Sequence, residues 1–193
     1  MRICVFGAAS SKIDDIYKEK TEMVGKMIVE RGHSLVFGGG GSGLMGAVAK
    51  GVHNANGHIL GVMPKFFEDE NIEEVFPHCD TLIEPDTMRE RKQIMDDNAD
   101  AFLIVPGGIG TLEEFFEILT SKQLCRHNKP IAIYNINGFY NDLYALFKSA
   151  IDKKFINKDC CKLLCVSENI EDLFVYMETP PTETLTLTEL KRN

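Results

Sequence analysis

The sequence predicts an α/β fold in which helices sandwich a single doubly wound, mostly parallel sheet of the Rossmann type. Short apolar runs alternate with segments of helical periodicity along most of the chain. The runs are continuously rich in Val, Ile, Leu and Phe, which is typical of parallel strands covered on both faces. In addition, Gly32 and Gly57 directly follow two of the helical segments, where glycine commonly ends a helix.

The apolar runs and the periodic segments give an ordered set of elements. The expected strands are Ile3–Phe6, Ser34–Phe37, His58–Val62, Thr81–Ile83, Ala101–Val105, Pro130–Tyr134 and Leu163–Val166. The expected helices are Asp14–Arg31, Gly43–Asn56, Thr87–Asn98, Thr111–Cys125, Phe139–Lys153 and Ile170–Tyr176. Residues 66–77 are acidic and irregular, so they form either a mobile flap over a ligand site or a solvated connection. We expect one domain over residues 1–178 and a loosely ordered C-terminal tail over residues 179–193.

The composition is that of a soluble globular protein. Of the 193 residues, 44% are hydrophobic and 26% are charged, and no run approaches the roughly 20 apolar residues that span a bilayer. The N-terminus predicts a buried strand rather than a signal peptide, so we expect a cytoplasmic protein with no membrane partner. The formal charge of −8 argues against a nucleic acid polymer as partner, whereas a small phosphorylated ligand needs only a local basic cluster, such as residues 88–92. The cysteines and histidines lack metal-ligand spacing, so no metal site is expected.

The segment Pro106–Glu114 predicts an anion site. It reads PGGIGTLEE and directly follows the apolar run Ala101–Val105. The glycines let backbone amides approach a phosphate closely, and a helix N-terminus adds unpaired N–H groups with a partial positive charge. Glu114 lies one turn inside that helix, where it is either a catalytic acid or the partner of Thr111 in a capping box. The same spacing between Thr87 and Glu90 predicts that Glu90 is a helix cap.

The earlier glycine-rich segment Gly38–Gly46 leaves two interpretations open. It contains G-x-G-x-x-G in more than one register, but so many glycines make such a match nearly inevitable. It also follows the second predicted strand, whereas a dinucleotide-binding loop follows the first strand of its unit, so a nicotinamide-dependent oxidoreductase is disfavoured. The segment is therefore a tight strand-to-helix turn, a second backbone wall of the ligand site, or both.

Two basic residues lie in the first turn or so of the helix predicted after Thr87. Arg91 and Lys92 lie near its N-terminus, where positive charge opposes the helix dipole. A phosphate or carboxylate partner at a strand end would justify that placement. We therefore favour a functional role for both residues over a solvated helix face.

Three motifs in the same order resemble the LOG ("Lonely Guy") family of cytokinin riboside 5′-monophosphate phosphoribohydrolases, some of which were long labelled possible lysine decarboxylases. They are GGGGSGLMG at Gly38–Gly46, MRERK at Met88–Lys92 and PGGIGTLEE at Pro106–Glu114, and the resemblance covers about residues 1–178. It implies hydrolysis of the N-glycosidic bond of a nucleoside 5′-monophosphate to free base and ribose 5-phosphate, without a metal or cofactor, in a homodimer. The similar molybdenum-cofactor carrier proteins supply the alternative function, a carrier that binds without catalysis.

The resemblance also assigns roles to individual residues. Arg91 and Glu114 become the catalytic pair, which favours the catalytic interpretation of Glu114 over the cap. The expected substrate-binding residues are Met88, Lys92, Gly107, Gly108, Ile109, Gly110, Thr111, Thr120, Gly40 and Gly43. The chain departs from the family at Arg89, where members often have His, and at Gly7–Ser10, where they have a longer loop. Both departures bear on which nucleotide is preferred.

Overall fold

The computed structural model describes residues 1–180 and 186–191. Its strands are β1 (Arg2–Phe6), β2 (Ser34–Phe37), β3 (Ile59–Val62), β4 (Thr81–Ile83), β5 (Ala101–Ile104), β6 (Ile131–Tyr134) and β7 (Cys165–Ser167). Its α-helices are α1 (Asp15–Glu30), α2 (Gly43–Asn54), α3 (Phe66–Asp69), α4 (Met88–Asn98), α5 (Ile109–Gln123), α6 (Asn141–Asp152), α7 (Ile170–Glu178) and α8 (Leu187–Lys191). Two 3₁₀ helices cover Ile136–Gly138 and Lys158–Leu163.

The strands form one parallel sheet in the order β4-β3-β2-β1-β5-β6-β7. The central strand β1 pairs with β2 on one side and with β5 on the other, so that Val5 lies between Phe37 and Leu103. The strand order reverses direction at this point, which makes the gap between β1 and β5 the topological switch of the sheet. The predicted doubly wound α/β fold is confirmed.

Both faces of the sheet are covered by helices. On one face, Ile3 and Val5 of β1 pack with buried side chains of α1, α2 and α7. On the other face, Cys4 and Phe6 of the same strand pack with buried side chains of α4 and α5. Because successive strand residues point to opposite faces, a strand buried on both sides must be apolar throughout. This explains the continuous apolar runs in the sequence.

The boundaries of several elements differ from the predictions. Helix α5 begins at Ile109, two residues before the predicted start at Thr111. Strand β7 begins at Cys165 rather than Leu163, because residues up to Leu163 form a 3₁₀ helix. In the acidic segment predicted to be irregular, Phe66–Asp69 form a short helical turn.

The predicted C-terminal tail contains the short helix α8. Leu190 of this helix is buried, and the side-chain amide of Asn157 donates a hydrogen bond to the carbonyl of Glu189. Residues 181–185 and 192–193 of the predicted tail lie outside the described residues. The division between residues 1–178 and 179–193 stays a prediction. Every helix in the described ranges is too short or too polar to traverse a lipid bilayer.

Candidate functional site

The two glycine-rich segments meet at the carboxyl ends of the central strands. The first follows β2, and the second follows β5. The loop after β1 connects them, since the amide of Ala8 donates to the carbonyl of Pro106 at 3.1 Å and the carbonyl of Ala8 accepts from the amide of Leu44 at 2.8 Å. Ligands of doubly wound sheets bind at this edge, beside the switch between strands. The structure therefore brings both predicted loops to the expected edge.

The N-terminus of α5 presents main-chain amides without a side-chain cap. Gly108 is the N-cap residue, and within the described residues no side chain accepts a hydrogen bond at this helix end. No atom of another described segment lies within 4 Å of the position that a Cβ would take at Gly108 or at Gly110. The neighbouring Ile109 side chain is 89% exposed. The first amides of α5 are thus open to an approaching anion, and the binding of a phosphate there stays a prediction.

Glu114 does not cap this helix. The capping box that the sequence left open is wrong, because the N-cap is Gly108 and Thr111 lies buried inside the first turn. The side chain of Thr111 packs instead beneath Gly107, where an added Cβ would stand 2.1 Å from the Thr111 hydroxyl. The corresponding prediction for α4 is confirmed, since the hydroxyl of Thr87 accepts a hydrogen bond from the amide of Glu90 at 3.2 Å.

Glu114 faces Arg91 of α4 instead. Oε1 of Glu114 lies 3.8 Å from Nη1 of Arg91, and the two side chains are 13% and 11% exposed. The structure therefore brings the two predicted catalytic residues together. At this distance the pair is an ion pair without a direct hydrogen bond.

Two backbone carbonyls hold the guanidinium of Arg91 in place. Nε donates to the carbonyl of Val62 at 3.0 Å, and Nη2 donates to the carbonyl of Gly38 at 3.2 Å. The ring of Phe67 lies 5.5 Å from the guanidinium carbon. These carbonyls stand at the ends of β2 and β3, so the side chain of Arg91 finds electronegative partners that offset its unfavourable position near a helix N-terminus. Because Nε and Nη2 bind these carbonyls, Nη1 is the nitrogen of Arg91 that faces Glu114.

Burial raises the pKa of Glu114 to about 7, because removal from water disfavours the charged carboxylate. The positive charge of Arg91 acts against this rise, and the nearby Glu113 adds to it. A carboxyl group with a pKa near neutrality can both take up and release a proton at physiological pH. Such perturbed groups are typical of catalytic sites.

A further carboxylate of the site, which no sequence pattern indicated, is that of Glu73 in the acidic segment 66–77. This segment is bound to the first glycine-rich segment: the amide of Gly41 donates to the carbonyl of Glu74, and the amide of Phe76 donates to the carbonyl of Gly39, both at 2.8 Å. It is therefore not simply a solvated connection.

The carboxylate of Glu73 packs against the first glycine-rich segment. A Cβ added at Gly40 would stand 1.8 Å from Oε1 of Glu73, and this oxygen is buried without a hydrogen-bond partner in the described part of the chain. Burial raises the pKa of Glu73, while Arg91 and the amide of Ser42 lower it. Arg91 thus interacts electrostatically with two carboxylates, those of Glu73 and Glu114. No spacing rule could single out Glu73, since it is one of several acidic residues in an irregular segment.

The contacts of the first glycine-rich segment favour a packing role for its glycines. A Cβ at Gly43 would stand 2.5 Å from the backbone of Ala9, and one at Gly46 would stand 2.0 Å from the carbonyl of Gly41. Together with the contact between Gly40 and Glu73, these distances require glycine for close approach of the chain. Substrate contacts of Gly40 and Gly43 stay predictions.

Of the remaining predicted substrate-binding residues, two lie near the Arg91–Glu114 pair and one lies apart from it. Met88 lies beside the site, with its sulfur 4.0 Å from Nη1 of Arg91. Lys92 forms ion pairs with Glu113 and Glu117 of α5, so a substrate group would compete with two carboxylates for it. Thr120 lies elsewhere.

Thr120 is exposed and contributes to a separate apolar cavity of about 780 Å³ between α5 and α6. It stands six residues after Glu114 on the same helix, which corresponds to roughly 9 Å along the axis and a different face. Within one described chain, Thr120 is therefore apart from the Arg91–Glu114 pair. Its predicted contact with substrate stays untested.

Known proteins resemble this chain in sequence and in fold. A family model described as possible lysine decarboxylase matches residues 45–177. The cytokinin riboside 5′-monophosphate phosphoribohydrolase LOG7 of Arabidopsis thaliana is 39% identical over 182 residues, which cover 92% of this chain and 81% of the relative. LOG2 of the same plant, described by the same activity, is 36% identical over 177 residues, which cover 92% of this chain and 82% of the relative.

Solved structures share the fold at lower sequence identity. The molybdenum cofactor binding protein from Rippkaea orientalis has a TM-score of 0.67 and 21% identity, with 90% of this chain and 93% of that chain covered. The Moco carrier protein from Chlamydomonas reinhardtii has a TM-score of 0.67 and 21% identity, with 90% and 97% covered. At this identity the likeness extends to the fold alone.

Proposed function

The chain belongs to the LOG family, whose members include proteins described as possible lysine decarboxylases, and on this premise we propose that it is a nucleoside 5′-monophosphate phosphoribohydrolase. It hydrolyses the N-glycosidic bond of a cytokinin riboside 5′-monophosphate or AMP and releases the free base and ribose 5-phosphate. The observation that carries this proposal is the ion pair of Arg91 and Glu114 beside the uncapped amides of α5.

The amides of Gly108–Thr111 bind the 5′-phosphate. They are the first N–H groups of α5, where unpaired donors and the helix dipole favour an anion. Phosphate binding at a distance from the reacting bond fixes the ribose relative to Glu114 and reduces the entropic cost of reaching the transition state. The predicted contacts of Met88, Ile109 and Lys92 belong to the same proposal.

Glu114 acts at the anomeric carbon. As the bond between C1′ and the base nitrogen breaks, its electron pair leaves with the base, and positive charge builds on the ribose, as in glycoside hydrolysis. The carboxylate of Glu114 stabilises this charge and takes a proton from the attacking water, whose oxygen forms the new bond to C1′. A pKa near 7 lets Glu114 pass this proton on to the departing base or to solvent.

Arg91 orients the substrate and supports the departure of the base. Its guanidinium is fixed by the carbonyls of Val62 and Gly38, and Nη1 lies toward Glu114. A rigid cation at this position favours the negative charge that develops on the leaving base. It also moderates the rise in the pKa of Glu114.

A direct assay tests the activity. Nucleoside mono-, di- and triphosphates and unphosphorylated nucleosides are incubated with the protein, and free base is measured by chromatography. We expect base release from adenosine 5′-monophosphates, with or without a substituent on N6 of the base, in preference to the other compounds. Binding of a monophosphate without release of base would instead support the alternative function, a non-catalytic carrier.

We also propose that two copies of the chain associate through α6. No side chain of this helix is buried within the described residues, although the helix is amphipathic. Tyr144 and Phe155 are 58% and 82% exposed and line the cavity between α5 and α6 together with Phe116. An exposed apolar surface of this kind is typical of a protein–protein interface. A second copy would bury it.

A further inference from the structure

The hydroxyl of Tyr140 lies directly beneath the turn that leads into α5. The side chain is 4% exposed, and its hydroxyl donates a hydrogen bond to the carbonyl of Val105 at 2.8 Å. The hydroxyl thus holds the carbonyl that directly precedes Pro106, at the start of the turn into α5.

The turn after β6 fixes the position of Tyr140. The side-chain oxygen of Asn135 accepts a hydrogen bond from the amide of Tyr140 at 2.7 Å, and its side-chain nitrogen donates to Asn141 at 2.8 Å. Gly138 has a φ of 73°, in the left-handed region that favours glycine. The ring of Tyr140 therefore enters the core of the protein from a fixed backbone position.

We propose that Tyr140 is a positioning residue for the phosphate-binding amides, an inference that rests on the proposed function. Its hydroxyl holds the carbonyl of Val105, and with it the start of the turn, so that the amides from Gly108 onward face the substrate. Gly107 contributes the shape of this turn, because an added Cβ there would clash with Thr111.

The loss of this hydroxyl should weaken phosphate binding specifically. In Tyr140→Phe the ring still fills its place, but the carbonyl of Val105 loses its buried hydroxyl partner. A carbonyl left in this way reorients toward another partner, and the turn into α5 moves with it. We expect the dissociation constant for inorganic phosphate and the KM for AMP to rise about tenfold, with little change in the slow release of base from adenosine.

The experiment compares Tyr140→Phe with Tyr17→Phe, a matched control in α1 whose hydroxyl forms no hydrogen bond within the described residues. Isothermal titration calorimetry measures the binding of inorganic phosphate and ribose 5-phosphate, kinetics separate KM from kcat, and circular dichroism verifies folding. Equal constants for Tyr140→Phe and the wild type, in a protein that hydrolyses AMP, overturn this inference alone. A wild-type protein that neither binds phosphate nor releases base overturns the proposed function and this inference with it.

Discussion

The guanidinium of Arg91 and the carboxylate of Glu114 lie 3.8 Å apart, although their helices follow an edge strand and a central strand of the sheet. Arg91 reaches Glu114 because it extends past the ends of β2 and β3, where it binds two main-chain carbonyls. The carboxyl group of Glu114 is poorly solvated there, and burial raises its pKa to about 7. Both the activity and the stability of the protein should therefore depend on this pair.

The substitution Glu114→Gln should abolish activity and stabilise the protein. The amide cannot accept a proton, so we expect base release to fall by at least about 100-fold. Burial raises the pKa of Glu114 in the folded state from 4.5 to about 7. The carboxyl group therefore destabilises the folded state least below pH 4.5, where it is neutral, and the free energy of unfolding decreases as the pH rises to about 7. The variant lacks this loss, worth about 3 kcal/mol at most, so its advantage in melting temperature should grow from pH 5 to pH 8.

Glu19→Gln is the matched control for this experiment, since Glu19 is an exposed glutamate of α1. Its melting temperature should follow that of the wild type at both pH values. A lower stability of Glu114→Gln at pH 8 would mean that the ion pair with Arg91 stabilises the carboxylate more than its burial destabilises it.

Substitution of Arg91 should change the pH dependence of the reaction as well as its rate. In the wild type, base release should increase with pH through about 7, where Glu114 loses its proton. The positive charge of Arg91 lowers the pKa of Glu114, so Arg91→Gln should move this limb to higher pH. Arg91→Lys keeps the charge but loses the planar donors to Val62 and Gly38, so it should lose rate with a smaller shift of the limb. The pH profile of kcat/KM measures both effects, and an unchanged limb in Arg91→Gln would contradict them.

Much of this site could be predicted from the sequence because its parts are local. Strand β5, the turn at Pro106–Gly108 and helix α5 follow one another directly, so the proposed anion-binding amides lie within a few residues of the end of the strand. The capping role of Glu90 was predictable for the same reason. The pairing of Arg91 with Glu114 came only from the family resemblance, because the two helices are brought together by the order of strands in the sheet.

Features that depend on packing across the fold were not predictable. Spacing places Thr111 and Glu114 as a capping box, but the open glycines let α5 begin earlier, at Ile109. Glu73 reaches the site only because its segment binds the backbone of the first glycine-rich segment. The hydrogen bond from Tyr140 to Val105 joins residues that follow two neighbouring strands, β6 and β5, and no sequence pattern indicates it.

Substitution by alanine should have different effects at two glycines of the second glycine-rich segment, Gly110 and Gly107. At Gly110 a Cβ meets no atom of another described segment within 4 Å, so Gly110→Ala should keep or slightly raise the melting temperature. If the phosphate binds above this residue, the added methyl group should raise the KM for AMP severalfold. At Gly107 the Cβ would clash with Thr111, so Gly107→Ala should lower both stability and activity. Kinetics and thermal melts of the two variants provide the comparison, and a Gly110→Ala enzyme with unchanged KM would place the phosphate elsewhere.

Association through α6 should be sensitive to charge at Phe155. This side chain is 82% exposed in the single chain, so Phe155→Glu should leave the folded monomer intact. Burial of the new carboxylate in an interface is unfavourable, and we expect the dimer to dissociate. Sedimentation velocity over a range of concentrations measures the change. Val175→Glu, an equally drastic change at an exposed position of α7, is the control and should remain dimeric. A wild-type protein that sediments as a monomer throughout would refute the proposed interface.

Lys122 should reduce stability at neutral pH. Its side chain is 7% exposed in the last turn of α5, and burial lowers its pKa from 10.5 to about 8. Below pH 8 the ammonium group is charged in both states, and its burial costs about 3 kcal/mol at most; this cost disappears as the pH rises from 8 to 10.5. Lys122→Met should therefore stabilise the protein at pH 7 and lose most of this advantage by pH 10. Urea unfolding at the two pH values measures the difference, with Lys26→Met at an exposed position of α1 as control. An advantage that is equal at both pH values would show that packing of the methionine, rather than removal of the buried charge, is responsible.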